Sequence, residues 1–178
     1  KFQSDAERHT VFYGGTLNDP VSDSLVIPVN LSGVTKVFTL INTAYGAYGY
    51  KAGSVSFEFG NGDSYTVDLI EGLNVRDHYY GDYCNVTDDL TTQDAVFGLP
   101  DPGNAHFDMQ VFDIAAYSGE TLTEIVFTST FEDSMYNGKA LLAGATVLSS
   151  STVPDGGSTL GLLVIGLGLI AASRRSVV

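Results

Sequence analysis

On both sides of a glycine-rich break, apolar and polar positions alternate with a period of two. Val55, Phe57 and Phe59 alternate with Ser54, Ser56 and Glu58; beyond Gly60, Asn61, Gly62 and Asp63, the residues Tyr65, Val67 and Leu69 alternate with Ser64, Thr66 and Asp68. This predicts a β-hairpin closed by the loop 60–63. One of its faces has to be covered, because burying each such side chain is worth about 1.5–3 kcal/mol before entropy is subtracted. The expected cover is a second sheet.

The rest of the chain breaks into similar short runs. Val11, Phe12 and Tyr13 form a first strand, and residues 24–31 form another with Pro28 inside it, which confines that run to a sheet edge or a bulge. Residues 36–43 read as a buried strand, with Val37, Phe38, Leu40 and Ile41 leaving little polar surface on either face. The Asp- and Tyr-rich segment 72–94 reads mainly as loop, with at most a short helix over 91–97. In residues 107–111 Phe107, Met109 and Val111 alternate with Asp108 and Gln110, and Phe112 and Ile114 then shift the parity, as a bulge would. Residues 122–130 are a further strand, residues 136–138 turn the chain, and 140–148 close it. No amphipathic helix of ten or more residues precedes the C-terminal tail, so the fold class is all-β, an antiparallel β-sandwich over residues 10–150. Residues 1–9 are a polar arm, 151–159 a linker, and 160–178 a hydrophobic helix with a basic end.

Composition narrows the function. The 178 residues hold 8 Lys and Arg against 21 Asp and Glu, a formal charge of −13, so the basic footprint that nucleic acid requires is missing. Such acidity suits solubility outside the cell, calcium-rich surroundings or neutral sugars. Cys84 is the one cysteine, which excludes an intramolecular disulfide and a cysteine-based zinc site; it is expected as a small buried hydrophobe beside Tyr83. His9, His78 and His106 have no metal-binding spacing and no Gly-x-Ser-x-Gly elbow occurs, so a non-catalytic protein is expected.

Two aromatic clusters are the best candidate chemistry. Tyr45, Tyr48 and Tyr50 lie among glycines, and His78, Tyr79, Tyr80 and Tyr83 follow Arg76 and Asp77. A tyrosine offers a flat face to a sugar ring and a hydroxyl to its rim, and Asp77 is an acceptor for sugar hydroxyls. Brought to one end of a sandwich, the two loops would make a saccharide platform; the same residues also suit the lid of a core or a protein interface. Arg76 and Asp77, adjacent in extended chain, point to opposite sides, so each is expected to pair elsewhere and pin the loop to the sheet. For calcium, the one cofactor the acids suggest, Asn61, Asp63, Asp82, Asp88, Asp89 and Asp94 are oxygen donors, but no Asp-x-Asp-x-Asp-Gly loop is present.

The tail states a destination. Val153, Pro154, Asp155, Gly156 and Gly157 precede an apolar run over 160–172, and Arg174 and Arg175 follow it. At about 1.5 Å per residue the run spans roughly 20 Å, short of the roughly 30 Å of a bilayer core, which argues against a permanent single-pass anchor. The arrangement resembles PEP-CTERM sorting tails, with Asp for the usual Glu and Gly for the second Pro. The glycine pair is also similar to GlyGly-CTERM tails, which are handled by rhomboid-type proteases. The PEP-CTERM resemblance implies an exosortase-type processing enzyme, a membrane contact through the helix before processing, and export to the cell surface, outer envelope or extracellular matrix of a Gram-negative bacterium. The chain opens on Lys1, and a leader already removed is what export would imply. Residues 40–46, Gly62 and Asp63, 68–77 and 141–147 are similar to galactose-binding-like jelly-roll domains of exported bacterial proteins, which implies carbohydrate binding. The expected function is thus a binding or structural surface protein, with matrix polysaccharide as partner. Its alternative is a self-assembling fibre subunit, a homo-oligomer whose arm 1–9 completes a neighbour's sheet by strand exchange; a glycan-active enzyme ranks below both.

Overall fold

The computed structural model describes residue 12 and residues 22–79, 81, 83–97, 106–130 and 137–150. Among the described residues there are eight strands: β1 (Asp23–Ser32), β2 (Val34–Gly46), β3 (Lys51–Phe59), β4 (Ser64–Ile70), β5 (Thr92–Phe97), β6 (His106–Asp113), β7 (Thr121–Ser129) and β8 (Asn137–Ser149). They form two four-stranded antiparallel sheets, ordered β1-β7-β3-β4 and β5-β6-β2-β8. A 3₁₀ turn, Ala115–Tyr117, links β6 to β7.

The hairpin forms as its alternation predicts. Glu58 faces Ser64, Phe57 faces Tyr65 and Val55 faces Val67 across β3 and β4. Val55, Phe57, Phe59 and Leu69 enter the core, but β4 is a sheet edge, so Tyr65 stays 37% exposed and stacks on Phe57 at 6.0 Å. Pro28 also behaves as expected: β1 is the opposite edge, and its register slips between Pro28 and Leu31, where Asn30 takes a φ of 55°. The buried strand expected over 36–43 is the middle of β2, which lies between β6 and β8. Phe12 pairs with Leu142 on the outer edge of β8 and meets Phe127 edge-on at 5.9 Å.

Three expectations are corrected. Residues 92–97 are strand β5 and not a helix, because β6 supplies a partner from Gln110 to His106. Gly138, expected in a turn, belongs to β8 at a φ of 65°. The third correction matters most. In β6 the inward residues are Asp108, Gln110 and Phe112, followed by Ile114, while Phe107, Met109 and Val111 face out; the parity runs through without a bulge, opposite in sign to the hydrophobic reading.

Side-chain hydrogen bonds explain the inversion. The ladder between β2 and β6 runs as far as Leu40 and Met109, and there Gln110 takes over: its amide nitrogen donates to the Ile41 carbonyl at 2.7 Å, and its oxygen accepts from Ile41 N–H at 3.0 Å. Asn42 Nδ2 donates to Asp108 Oδ2 at 2.8 Å, and Asn42 Oδ1 accepts from the Asp108 N–H at 2.9 Å. Buried polar groups meet each other there in place of the ladder. The apolar core fills the rest of the interior with Val37, Ile41, Phe57, Leu69, Ile114, Leu122, Ile125 and Phe127.

Candidate functional site

At one end of the sandwich the β2–β3 turn and the connection that follows β4 are stitched together by main-chain hydrogen bonds. Gly49 N–H donates to Glu71, Glu71 N–H to Tyr50, Thr43 N–H to Arg76, His78 N–H to Thr43 and Cys84 N–H to Gly46, all at 2.8–3.1 Å. The two tyrosine-bearing loops therefore share one end. Tyr48 and Tyr50 lie 64% and 48% exposed, and Tyr45 is 41% exposed with its ring edge-on to Tyr83 at 5.3 Å. Tyr79 is half-buried with its ring beside His78. Tyr80 and Asp82 lie outside the described residues.

Asp77 holds this end in shape. It is buried, and its two oxygens accept the N–H groups of Tyr79 at 2.7 Å and Tyr45 at 2.8 Å. Tyr45 sits at a φ of 67°, a conformation that costs an L-residue about 1–2 kcal/mol, and the Asp77 bond helps to hold it there. Asp77 therefore braces the tyrosines from inside instead of facing a ligand. His78 Nδ1 lies 2.9 Å from the Thr43 carbonyl, which can only accept, so that nitrogen carries a proton.

Arg76 pins the loop to the sheet, as its sequence setting suggested. Its Nε and Nη2 reach the two oxygens of buried Asp108 at 2.7 and 2.8 Å, and Nη1 donates to the Asn85 carbonyl. Tyr48 lies over Gly72, where a side chain would overlap its ring, and its hydroxyl donates to Asp88 at 3.0 Å. That bond raises the Tyr48 phenol above its ordinary range. Cys84 is half-buried, not fully buried, and burial pushes its thiol up.

Below the tyrosines is a group that the sequence reading did not single out. Glu71 continues the inward parity of Tyr65, Val67 and Leu69, and that parity was its only signal. It is fully buried, and Gly46 and Gly138 lie so close that a side chain on either would overlap its carboxyl. Burial pushes the carboxyl up to about 8; the nearby Thr43 hydroxyl acts the other way and Asp77 adds to the rise. Neither Glu71 oxygen nor Thr43 Oγ1 completes a hydrogen bond.

The calcium candidates are spread apart. Asn61 and Asp63 bond each other across the hairpin turn, Asp88 accepts from Tyr48, and Asp89 accepts from Thr91 N–H. Among the described residues no group of three His, Cys, Asp or Glu could hold a metal ion, and no helix is long and apolar enough to cross a membrane.

Comparison with known proteins bears on the tail. Residues 152–176 match the VPDSG-CTERM motif. The match takes in Val153, Pro154, Asp155, Gly156 and Gly157 and reaches Arg174 and Arg175, and it supports a PEP-CTERM-like tail of the exosortase type. It points to an exported protein directed to the cell surface by an exosortase-like system. No curated protein and no solved structure matches the chain. The helix expected over 160–178 lies outside the described residues.

Proposed function

We propose that the protein is a non-catalytic polysaccharide-binding module of the cell surface or extracellular matrix, and that Tyr45, Tyr48, Tyr50, Tyr79 and Tyr83 form its binding platform. The observation that carries this reading is the fusion of the two tyrosine loops, with half-exposed rings held on a main chain that Asp77 and Arg76 brace from below. Rings fixed in this way lose little conformational entropy when a sugar stacks on them. A tail that directs export to the cell surface suits a module that meets polysaccharide there, and the two antiparallel sheets among the described residues suit a β-sandwich that carries its ligand loops at one end. The test is electrophoresis through gels that contain matrix polysaccharides. Retardation that Tyr48→Ala abolishes supports the platform; equal mobility of wild type and variant in every gel overturns it.

A fibre of strand-exchanged copies is the second reading, and the Phe12–Leu142 pair favours it, since the chain leading out of the arm 1–9 already pairs with a sheet edge. The same pairing made to a neighbour would link copies head to tail. Loss of polymers on deletion of residues 1–9 supports that reading, and unchanged polymers overturn it.

A further inference from the structure

A cleft of about 230 Å³ opens along the side of the sandwich, between the β4 edge of one sheet and β6 of the other. It begins beside the tyrosine end: Asp88 accepts the Tyr48 hydroxyl, and the next residue, Asp89, lines the cleft. Val67 and Phe112 supply apolar lining, and Tyr65, stacked on Phe57 and Tyr117, stands at the rim. The volume lies below the roughly 300–1,000 Å³ of drug-sized pockets and has room for a single ring.

The polar groups of this cleft divide into two sets. The amides of Asn74 and Gln110 are spent on the fold, the first on Ile70 N–H and the Asp68 carbonyl, the second on Ile41. Asp89, Asp113 and Thr91 are not. Asp89 Oδ1 accepts Thr91 N–H at 2.7 Å and Asp113 Oδ1 accepts Ala115 N–H at 3.0 Å, so each carboxylate is oriented by the main chain and keeps its Oδ2 for another donor. Thr91 Oγ1 and the Tyr65 hydroxyl complete the set. None of the residues lining the cleft is basic.

Apolar lining, an aromatic rim and acceptor-rich walls are the complement of a sugar ring, whose C–H face is apolar and whose edge donates hydrogen bonds. Two oriented carboxylates without a cation select further, because they attract a positive charge and repel an acidic sugar. We propose that this cleft is a subsite for an amino sugar, with the protonated amine between Asp89 and Asp113 and the ring against Val67 and Phe112 beside Tyr65. It takes its ligand class from the saccharide reading above but uses different residues, so the two can fail separately.

The experiment is titration calorimetry at pH 6 and near-physiological salt with three short probes: a glucosamine trimer, its fully N-acetylated form and a glucose trimer. Wild type should bind the glucosamine trimer saturably at one site and the other two at least tenfold more weakly. Asp89→Asn and Asp113→Asn, which keep the oxygen that accepts the main-chain N–H, should each weaken the glucosamine trimer at least tenfold. Glu124→Gln, which removes one exposed charge from β7, two strands away from β4 in the same sheet, should change it less than twofold. The proposal is overturned if the double Asp89→Asn, Asp113→Asn variant binds as wild type does, if the three trimers bind alike, or if none saturates. It is also overturned if a short lysine-bearing peptide alone binds in an Asp113-dependent way, since the cleft would then be a strand-docking site.

Discussion

The two sheets follow the same rule of alternation, and β6 in the second obeys it with the opposite sign. In the β1-β7-β3-β4 sheet, Val55, Phe57, Ile125 and Phe127 face in, while the outer face carries hydroxyl pairs: Ser24 with Thr128, Ser56 with Thr66, and Ser32 with Thr121, all at 2.7–2.8 Å. In the β5-β6-β2-β8 sheet, Thr39, Asp108 and Gln110 are buried, and Phe38, Leu40 and Met109 lie half-buried on the outside, around a shallow depression at Gly144. Period two says that a segment is a strand. Which face is buried is a property of the partners, and in the second sheet the partners are Arg76, Asn42 and the main chain of Ile41.

Breaking the partnership of Asp108 should have the largest effect. Arg76→Ala leaves a fully buried carboxylate without its guanidinium, and urea unfolding should show a loss of about 3–5 kcal/mol. Adding Asp108→Asn should restore much of it, since the neutral amide needs no guanidinium and its oxygen can still accept from Asn42 Nδ2; a double variant no more stable than Arg76→Ala would mean that the charge of Asp108 is not what Arg76 offsets.

Glu71 sharpens the contrast, because it is a buried acid with no partner beside one that is fully paired. Its carboxyl ionises near 4.5 in the unfolded chain and near 8 in the folded protein, so between those values the folded state holds the extra proton. Stability from this group is therefore full below about pH 4.5, falls as the pH rises and is gone above about 8, on the order of a few kcal/mol in all. Glu71→Gln should remove that slope, so its gain over wild type in unfolding midpoint should grow from pH 5 to pH 9. Parallel profiles for the two proteins would show that Glu71 ionises normally.

Gln110→Leu tests the inversion from the other side. An apolar residue satisfies the hydrophobic reading of an inward position but leaves Ile41 N–H and C=O unpaired, and a loss of about 1–3 kcal/mol in urea unfolding is expected. A gain would mean that the amide is dispensable. The smallest effect belongs to the outer face of the first sheet, where Ser56→Ala removes one cross-strand hydroxyl pair and should cost about 0.2–1 kcal/mol.

The legible parts were those set by neighbours along the chain. The hairpin with its loop 60–63, the edge position of Pro28 and the central β2 follow from local spacing. Of the candidate end, the tyrosines and the pinning role of Arg76 were visible, since each needs only its own residue type and an extended chain around it. The orientation of β6, the strand at 92–97 and the burial of Glu71 were not, because each depends on a segment distant in sequence.

The sequence by itself determined the charge, the strand period and the address written in residues 152–176, all of which are read along one stretch of chain. Only the tertiary structure decided that Asp108 and Gln110 face inward, that the tyrosine loops close one end together, and that Asp89 and Asp113 share a cleft. The reason is that period is a property of one strand, whereas burial, proton affinity and convergence belong to pairs of segments, and their energies exist only once those segments meet.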